Sequence, residues 1–445
     1  MNAHRLVKPS RRTVLQAAGG LAAAAAMPRF ARAADQPPLG TWPAGSQGDA
    51  ITIGITVPRT GTYAAQGEDE LKGYQLAVEH LNSGHELVRA ISPKTKKGVL
   101  GKVVKYVVAD SAAKPNQAVQ EQGKFISDNK VVLMTGATSS AVAVALNHFA
   151  QRERVLYFTG ISGSNDTTGK DCVRYGFRQN FYGQTAAAAL GPVLIKAFGK
   201  NRRAAYMTPD YTYGHTVTKA MNDYLTSQGG WTMVTNQVSP LGAPDYSNYV
   251  TNISNTDAEF LINVNWGHDA VLSTQQAKQF GLLSKMKLVI PYQIPFIAKE
   301  LGADTTQGVY AATDFWWTLE DRFPLAKMFV DAFQAKYGYR PEWGAQNSYV
   351  SFALWADGVE RAGTFFPPAV IKALEAGNHN KALVADDVYF RAEDHQLVRP
   401  VVIVRGKSPK AMRNPEDFWE VTEVVPGAPL MQAPDAFGCK LGDYI

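Results

Sequence analysis

The feature that most constrains the fold of this chain is a repeated alternation of short apolar strands and amphipathic helices. In the first unit, residues 51–57 are mostly apolar and β-branched, and residues 68–82 carry apolar side chains at three- and four-residue intervals. The alternation continues to residue 159 and restarts at residue 203. Near-continuous apolar strands between helices predict parallel sheets covered on both faces. Two such runs predict two α/β lobes with a cleft between them.

The loop of the first unit, residues 58–67, follows the carboxyl end of its strand. Small ligands bind at the carboxyl ends of the strands in open parallel sheets. This corner is therefore the first place where a ligand site is expected.

The first 33 residues differ from the rest of the chain. Arg11 and Arg12 precede a run of small apolar residues that ends in Ala31-Arg32-Ala33, an A-x-A cleavage sequence. This pattern is typical of a twin-arginine export signal, although Val14 stands where such signals usually have phenylalanine. The alternative is a generic hydrophobic leader or anchor. Residues 34–48, which are rich in proline and glycine, are predicted to be a flexible lead-in.

Removal of this leader changes the net charge of the chain. The whole sequence has 45 basic and 39 acidic residues, but the first 33 residues hold six of the basic ones and none of the acidic ones. The remaining chain has 39 of each. A chain with equal numbers of basic and acidic residues lacks the excess positive charge of a nucleic-acid-binding protein, so no nucleic-acid partner is expected.

The chain has two cysteines, Cys172 and Cys439. Export would place them in an oxidising compartment, which favours one disulfide that ties the C-terminal tail to the first half of the chain. The alternative is two separate buried thiols, because sequence spacing does not show proximity.

Sequence motifs give little support to catalysis. The chain contains no phosphate-binding loop, dinucleotide-binding glycine motif, H-E-x-x-H or C-x-x-C, and its eight histidines form no ligand-like cluster. Residues 160–164 (GISGS) match a nucleophile elbow only loosely, because Ser164 replaces its second glycine. We therefore expect no metal site, no bound cofactor and no enzyme activity; an exported α/β hydrolase that uses Ser162 is the less favoured alternative.

Several segments in order resemble one family. The chain resembles the leucine/isoleucine/valine-type periplasmic substrate-binding proteins of ATP-binding-cassette importers, and the matching segments are residues 51–61, 110–118, 136–140, 158–172 and 210–214. A branch of this family carries one cysteine after the fourth-strand loop and another near the C-terminus. The resemblance therefore supports the pairing of Cys172 with Cys439.

The resemblance implies an α/β fold of two Rossmann-like lobes with parallel central sheets, joined by three hinge crossings, with the ligand cleft between them. The crossings are expected near residues 177–181, 311–315 and 387–393. The first lobe would comprise residues 49–178 and 315–390, and the second lobe residues 179–314 and 391–445. The two lobes would close on a small molecule without making or breaking a bond.

The family pattern also implies the residues of the ligand site. In the first lobe they are Tyr63, Gln66, Ser139, Ser140, Ser162 and Ser164. Ser139 and Ser140 open a predicted helix, whose free backbone N–H groups favour an anion such as a carboxylate. The alternatives are that Ser140 is only a helix N-cap, and that Tyr63 and Gln66 belong to an ordinary solvated loop.

In the second lobe the implied ligand contacts are Tyr213, Trp266, Tyr292 and Gln293. Tyr213 matches a family tyrosine that folds over the ligand when the cleft closes. Trp266 could instead be a core residue.

The sequence departs from the amino-acid-binding members of the family at one point. Their carboxylate for the ammonium group of the ligand lies in the loop that here is residues 291–295, which contains no acid. Either Asp269 or Asp314 replaces it, or the ligand has no amine, because an unpaired buried ammonium is unfavourable by several kcal/mol. Amino acids, small or aromatic carboxylates and amides all remain expected ligands, and aromatic loops favour an apolar or aromatic body.

The expected function is that of a monomeric periplasmic protein that captures such a solute and delivers it to a membrane permease. An extracytoplasmic sensor with the same fold is the alternative, since both would have this sequence pattern.

Overall fold

The computed structural model describes residues 44–292 and 297–444. The predicted export signal, most of the predicted lead-in and the predicted ligand contact Gln293 lie outside the described residues.

Fifteen strands are present in this part of the chain. In chain order they are β1 (Ala50–Val57), β2 (Val103–Asp110), β3 (Leu133–Gly136), β4 (Leu156–Thr159), β5 (Gly176–Phe177), β6 (Arg203–Pro209), β7 (Thr232–Ser239), β8 (Phe260–Asn263), β9 (Lys287–Ile290), β10 (Tyr310–Thr313), β11 (Asn380–Ala382), β12 (Ala385–Phe390), β13 (Leu397–Val398), β14 (Val401–Gly406) and β15 (Trp419–Val425).

Thirteen α-helices alternate with these strands over the same described residues. They are α1 (Ala64–Ser83), α2 (Glu86–Ile91), α3 (Pro115–Asn129), α4 (Ser140–Glu153), α5 (Gly183–Phe198), α6 (Thr212–Gly229), α7 (Ser247–Ser254), α8 (His268–Gln279), α9 (Ile297–Leu301), α10 (Ala303–Thr306), α11 (Pro324–Tyr337), α12 (Trp343–Ala362) and α13 (Pro367–Glu375).

The strands form two main sheets, which confirms the predicted pair of α/β lobes. The first lobe is built on a five-stranded parallel sheet in the order β2-β1-β3-β4-β5, and the second on a seven-stranded sheet in the order β15-β14-β10-β9-β8-β6-β7. In the second sheet β14 and β15 are antiparallel additions to parallel strands. The central strands are buried apolar runs, as a parallel sheet with helices on both faces requires.

The chain returns to the first lobe after β10. Helix α12 packs along α1, and β11 is tied to α2 by a hydrogen bond of 3.0 Å from Asn380 Nδ2 to the carbonyl oxygen of Ile91. A third, three-stranded sheet, β11-β12-β13, also contacts the first lobe, because Phe390 packs on Phe158 and Phe177.

Three hinge crossings join the lobes before β14, at residues 178–182, 314–316 and 399–400, and the tail beyond β15 crosses once more. The first two lie where the sequence analysis expects them. The third lies after the predicted 387–393, because β13 still pairs with β12 before the chain enters β14. The tail beyond β15 also returns to the first lobe, where Tyr175 Oη donates a hydrogen bond of 2.9 Å to the carbonyl oxygen of Tyr444. Within the predicted second-lobe segment 391–445, β14 and β15 belong to the second sheet, whereas residues 391–398 and the tail contact the first lobe.

A buried polar network connects the three crossings. The guanidinium of Arg399, on the third, lies 3.0 Å from the carboxylate of Asp314, on the second, and donates to the carbonyl oxygen of Gln179, on the first, at 3.3 Å. Asn347 of α12 donates to Asn180 at 2.7 Å and to Asp314 at 2.8 Å. Burial raises the pKa of the Asp314 carboxyl to about 6, and Arg399 opposes that rise. The hinge is thus held by side chains from all three crossings.

Cys172 and Cys439 form a disulfide, with their Cα atoms 5.5 Å apart. The predicted pairing is confirmed, and the alternative of two separate thiols is excluded. The bond closes a loop of 267 residues and fixes the tail against the first lobe.

We expect the Cys172→Ala, Cys439→Ala double variant to lose about 2–4 kcal/mol of unfolding free energy, because the disulfide restricts the unfolded chain. Urea unfolding under non-reducing conditions measures this loss. Addition of a reductant should lower the midpoint of the wild-type protein towards that of the variant and leave the variant unchanged. Equal midpoints without reductant would contradict this account.

Two further properties concern the described residues. None of their helices combines the length and apolar character needed to cross a bilayer. They also contain no cluster of three or more histidine, cysteine, aspartate or glutamate side chains suited to a metal ion.

Candidate ligand-binding site

The predicted ligand residues lie in the loops and first helical turns that follow the carboxyl ends of strands from both lobes. Tyr63 follows β1, Ser139 follows β3, Ser162 follows β4, Tyr213 follows β6 and Tyr292 follows β9. The nine that the structure describes are all at most 5% exposed. The solvated-loop alternative for Tyr63 and Gln66 is therefore wrong.

The loops of the two lobes contact each other directly. The hydroxyl groups of Tyr63 and Tyr211 are 2.8 Å apart, and Thr62 Oγ1 donates a hydrogen bond of 2.9 Å to Asp269 Oδ1. Ser164 Oγ and Thr212 Oγ1 are also 2.8 Å apart. The site is therefore enclosed between lobes that are in contact.

Six buried aromatic rings form a connected cluster at this junction, and we call it the aromatic cluster. Its members are Tyr63, Phe181, Tyr213, Trp266, Tyr292 and Trp343. Edge-to-face contacts join Tyr63 to Trp266 at 4.9 Å and Trp343 to Tyr292 at 5.6 Å between ring centroids, while Phe181 stacks on Tyr292 at 4.1 Å. Trp266 and Trp343 are perpendicular at 6.4 Å. Trp266 thus packs against first-lobe rings as part of the lobe junction.

Polar atoms among these residues are buried without a hydrogen-bond partner in the described part of the chain. They are Gln66 Oε1, Ser139 Oγ, Ser162 Oγ, Tyr213 Oη, Trp266 Nε1 and Trp343 Nε1. Buried polar groups are nearly always paired in folded proteins, and each unpaired one is unfavourable by about 1–3 kcal/mol. Such a concentration at one lobe junction marks a place where a polar ligand can supply the partners.

The amino-terminal end of α4 lies among these atoms. Ser139, and not Ser140, is the N-cap residue, and its side chain makes no capping hydrogen bond. The alternative of Ser140 as a simple N-cap is therefore wrong. Ser140 Oγ instead accepts a hydrogen bond of 3.1 Å from the backbone N–H of Ser164 and so joins two loops. The uncapped first turn of α4 keeps N–H groups for an anion.

The two acids considered as partners for a ligand ammonium have other partners. Asp269 accepts from Thr62 and, at 2.8 Å, from the backbone N–H of Gly242. Asp314 pairs with Arg399 and accepts from Asn347, although its Oδ1 has no partner among the described residues.

Two consecutive acids of α1 lie buried beneath the first-lobe loops. Asp69 Oδ2 accepts a hydrogen bond of 2.7 Å from the backbone N–H of Ala345, at the start of α12, and Glu70 Oε2 accepts one of 2.6 Å from Thr138 Oγ1. Burial raises the pKa of Asp69 to about 7 and that of Glu70 to about 8, and in both cases hydrogen bonds oppose the rise.

These raised pKa values give stability a definite pH dependence. Below about pH 4.5 Glu70 is protonated in both the folded and the unfolded protein. Between about pH 4.5 and its folded-state pKa of about 8, Glu70 is ionised in the unfolded chain and protonated in the folded chain. Unfolding free energy should fall across this window by about 1.4 kcal/mol per pH unit for such a group. We expect Glu70→Gln to match the wild type at pH 4 and to exceed it at pH 8. Urea unfolding across pH 4–8.5 measures the two slopes, and parallel slopes would contradict the assignment.

Three residues at or beneath the site are not among the predicted ligand residues: Trp343, Phe181 and Asp69. Helix α12 starts at Trp343, directly after Pro341 and Glu342. Proline close before an apolar-periodic run is a helix-start signal, and it would have placed Trp343 at a helix end. Phe181 lies within a predicted crossing, but the direction of its side chain depends on how the two lobes meet.

Ser162 lacks the surroundings of a catalytic nucleophile in the described residues. Its Oγ has no hydrogen-bond partner there, so no histidine is hydrogen-bonded to it. A serine nucleophile needs an adjacent base.

The chain matches a known protein family over most of its length. The model of the family described as periplasmic binding protein matches residues 50–411. The chain belongs to this periplasmic binding protein family. Members of the family bind small molecules outside the cytoplasm, and the two lobes and the enclosed junction described above fit such a protein.

Individual relatives of this periplasmic binding protein are distant but cover most of it. Leu/Ile/Val-binding protein homolog 7 of Brucella abortus is 26% identical over 339 residues, which are 73% of this chain and 81% of that protein. An amino acid ABC transporter substrate-binding protein from Pseudomonas fluorescens Pf-5 is 25% identical, with a TM-score of 0.77 over 88% of this chain and 100% of the other. A solute-binding protein of an ABC transporter from R. palustris, solved in complex with benzoate, has a TM-score of 0.73 at 19% identity over 88% and 100% of the chains.

Proposed function

We propose that this periplasmic binding protein captures a small solute with a carboxylate or comparable polar head and an apolar or aromatic body, and delivers it to the permease of an ATP-binding-cassette importer. Export by the twin-arginine route and action as a monomer are parts of the same proposal. Both lobes supply ligand contacts, so binding favours the closed state over the open one.

The observation that carries the proposal is the set of buried, unpartnered polar atoms at the aromatic cluster. The two indole N–H groups of Trp266 and Trp343 can only donate, and the hydroxyl groups of Ser139, Ser162 and Tyr213 can donate as well. An acceptor-rich head satisfies most of them at once. A carboxylate has two oxygens and about four acceptor positions, and it also suits the uncapped first turn of α4.

The rest of the site favours a ligand without an amine. Asp269 and Asp314 already accept hydrogen bonds or pair with Arg399, so neither is a free counter-ion for an ammonium. The aromatic cluster offers ring edges and faces for an aromatic or branched apolar body. The structural neighbour from R. palustris binds benzoate, whereas the relative from Pseudomonas fluorescens serves amino-acid transport, and small carboxylates as a class include both kinds of ligand.

Two other functions receive less support. An extracytoplasmic sensor would use the same site, and neighbouring genes for a permease and an ATPase, or for a signalling protein, separate the two. A hydrolase would need a base at Ser162, which has no hydrogen-bond partner among the described residues.

A thermal-shift screen tests the proposal. The panel contains amino acids, benzoate and its ring-substituted forms, short carboxylates, amides and urea. A ligand present at 100 times its dissociation constant should add about 2.7 kcal/mol of stability. A carboxylate without an amine is expected to give the largest shift, and the absence of a shift with every carboxylate in the panel would contradict the proposal.

Variants locate the polar head within the site. The Ser139→Ala, Ser162→Ala double variant should lose most of the ligand-induced shift, because two hydroxyl partners of the head are removed. Ser127→Ala is the matched control, since Ser127 is exposed on α3. Equal ligand-induced shifts in both variants would place the head elsewhere.

A further inference from the structure

Glu70 lies directly beneath two loops of the candidate site. It is fully buried; Oε2 accepts a hydrogen bond of 2.6 Å from Thr138 Oγ1, and the backbone N–H of Ile161 also donates to the carboxyl group. A Cβ atom on Gly160 would collide with Glu70 Oε1. One carboxyl group thus touches the loop that leads into Ser139 and the loop that contains Ser162.

The surroundings of Glu70 favour its neutral form. The groups that act on it most strongly are Thr138, Asp69, Tyr74 and Ile161, and none of them is basic. The titratable groups that face it among the described residues are Asp69 and Tyr74 on its own helix and Tyr157 on β4. A carboxyl group buried without a cation is more stable when it is protonated.

We propose that Glu70 is a positioning residue for ligand binding: its neutral carboxyl group holds the two loops together, and its ionisation weakens the binding of an anionic head. The inference rests on the proposed function, because it places the head at Ser139 and Ser162. Thr138, which contacts Glu70, is the residue before Ser139. An ionised Glu70 would therefore repel an anion at the start of α4 through a medium of low dielectric constant.

Burial raises the pKa of Glu70 to about 8, which sets the direction and the range of the effect. Affinity for a carboxylate should be constant below about pH 7 and should fall as the pH rises above 8. Binding of an anion favours the protonated form in return, so it should raise the pKa of Glu70 further.

The test measures dissociation constants by calorimetry at pH 6.5 and pH 9, with benzoate, 4-hydroxybenzoate and leucine as probes. For the wild type we expect binding to weaken on the order of tenfold between the two values, as for one added charge nearby. Glu70→Gln keeps a neutral polar group in place, so it should bind as the wild type does at pH 6.5 and change less than about threefold at pH 9. Glu68→Gln is the control: Glu68 lies two residues earlier in α1 with a side chain that is 46% exposed, so this variant should keep the wild-type pH profile.

Each outcome separates this inference from the proposed function. A wild-type affinity that does not change with pH, or a parallel decrease in the wild type and Glu70→Gln, overturns the inference while a bound carboxylate still supports the function. Failure of all three probes at pH 6.5 overturns the inference together with the carboxylate assignment on which it rests.

A second variant keeps the test valid if Glu70→Gln does not fold. Thr138→Val removes the hydrogen bond to Glu70 and leaves the carboxyl group in place, so it should weaken binding at pH 6.5 by about tenfold and retain the decrease at pH 9. Wild-type affinity in Thr138→Val would overturn the positioning role.

Discussion

Gly163→Ala is expected to weaken ligand binding strongly and to leave the fold of each lobe intact. Gly163 lies in the first-lobe loop after β4, and an added Cβ atom would lie 2.5 Å from Cζ of the Tyr292 ring on the second lobe. The methyl group therefore obstructs the contact that closes the site. Overpacking of this kind costs about 1–3 kcal/mol, which corresponds to about 5- to 150-fold in Kd.

Calorimetry with the strongest ligand from the screen measures this change, and circular dichroism verifies the fold. Gly123→Ala is the matched control, because its new Cβ atom would lie 3.6 Å from Phe149 Cζ, an ordinary contact distance. The control should bind as the wild type does. Unchanged affinity in Gly163→Ala would mean that the ligand-bound protein does not bring Tyr292 against this loop.

Arg399→Met is expected to produce the largest loss of stability among single substitutions in the hinge. It leaves the fully buried carboxylate of Asp314 without the guanidinium that lies 3.0 Å away. Removal of one partner of a buried ion pair costs about 3–5 kcal/mol. The pKa of Asp314 should rise further in the variant, because Arg399 opposes the effect of burial in the wild type.

Urea unfolding of Arg399→Met, Asp314→Asn and the double variant tests this claim as a double-mutant cycle. The double variant should be more stable than Arg399→Met, because no uncompensated charge remains. Arg405→Met removes an exposed pair with Glu420 and should change stability by no more than about 1 kcal/mol. A loss in Arg399→Met no larger than that in Arg405→Met would contradict the role of the network.

Most of the fold follows from local patterns in the sequence. Helix α11 and strand β9 are examples, because a helix-starting proline with apolar periodicity marks the first and a short apolar run marks the second. Strand β15, by contrast, lies near the C-terminus, where no strand was predicted. This strand is formed by antiparallel pairing with β14, which is a tertiary contact.

The ligand site was predictable only in part, because some of its residues are placed by tertiary packing. The family pattern placed Tyr63, Ser139 and Tyr292 in loops at strand ends, and the adjacency of β1 and β3 explains why the first two of those loops meet. Trp343 and Glu70 lie on helices, and their roles depend on how α12 and α1 pack against each other and beneath the loops. Burial of two consecutive acids in one helix turn has no counterpart in helical periodicity, so only the packed structure reveals it.

The most direct test of the account is a crystal structure of the protein with the strongest ligand from the screen. We predict that the polar head of the ligand lies within hydrogen-bond distance of Ser139 Oγ and Ser162 Oγ, with the body of the ligand against Trp266 and Trp343. A ligand whose head lies away from both serines, or one bound outside the junction of the two lobes, would contradict it.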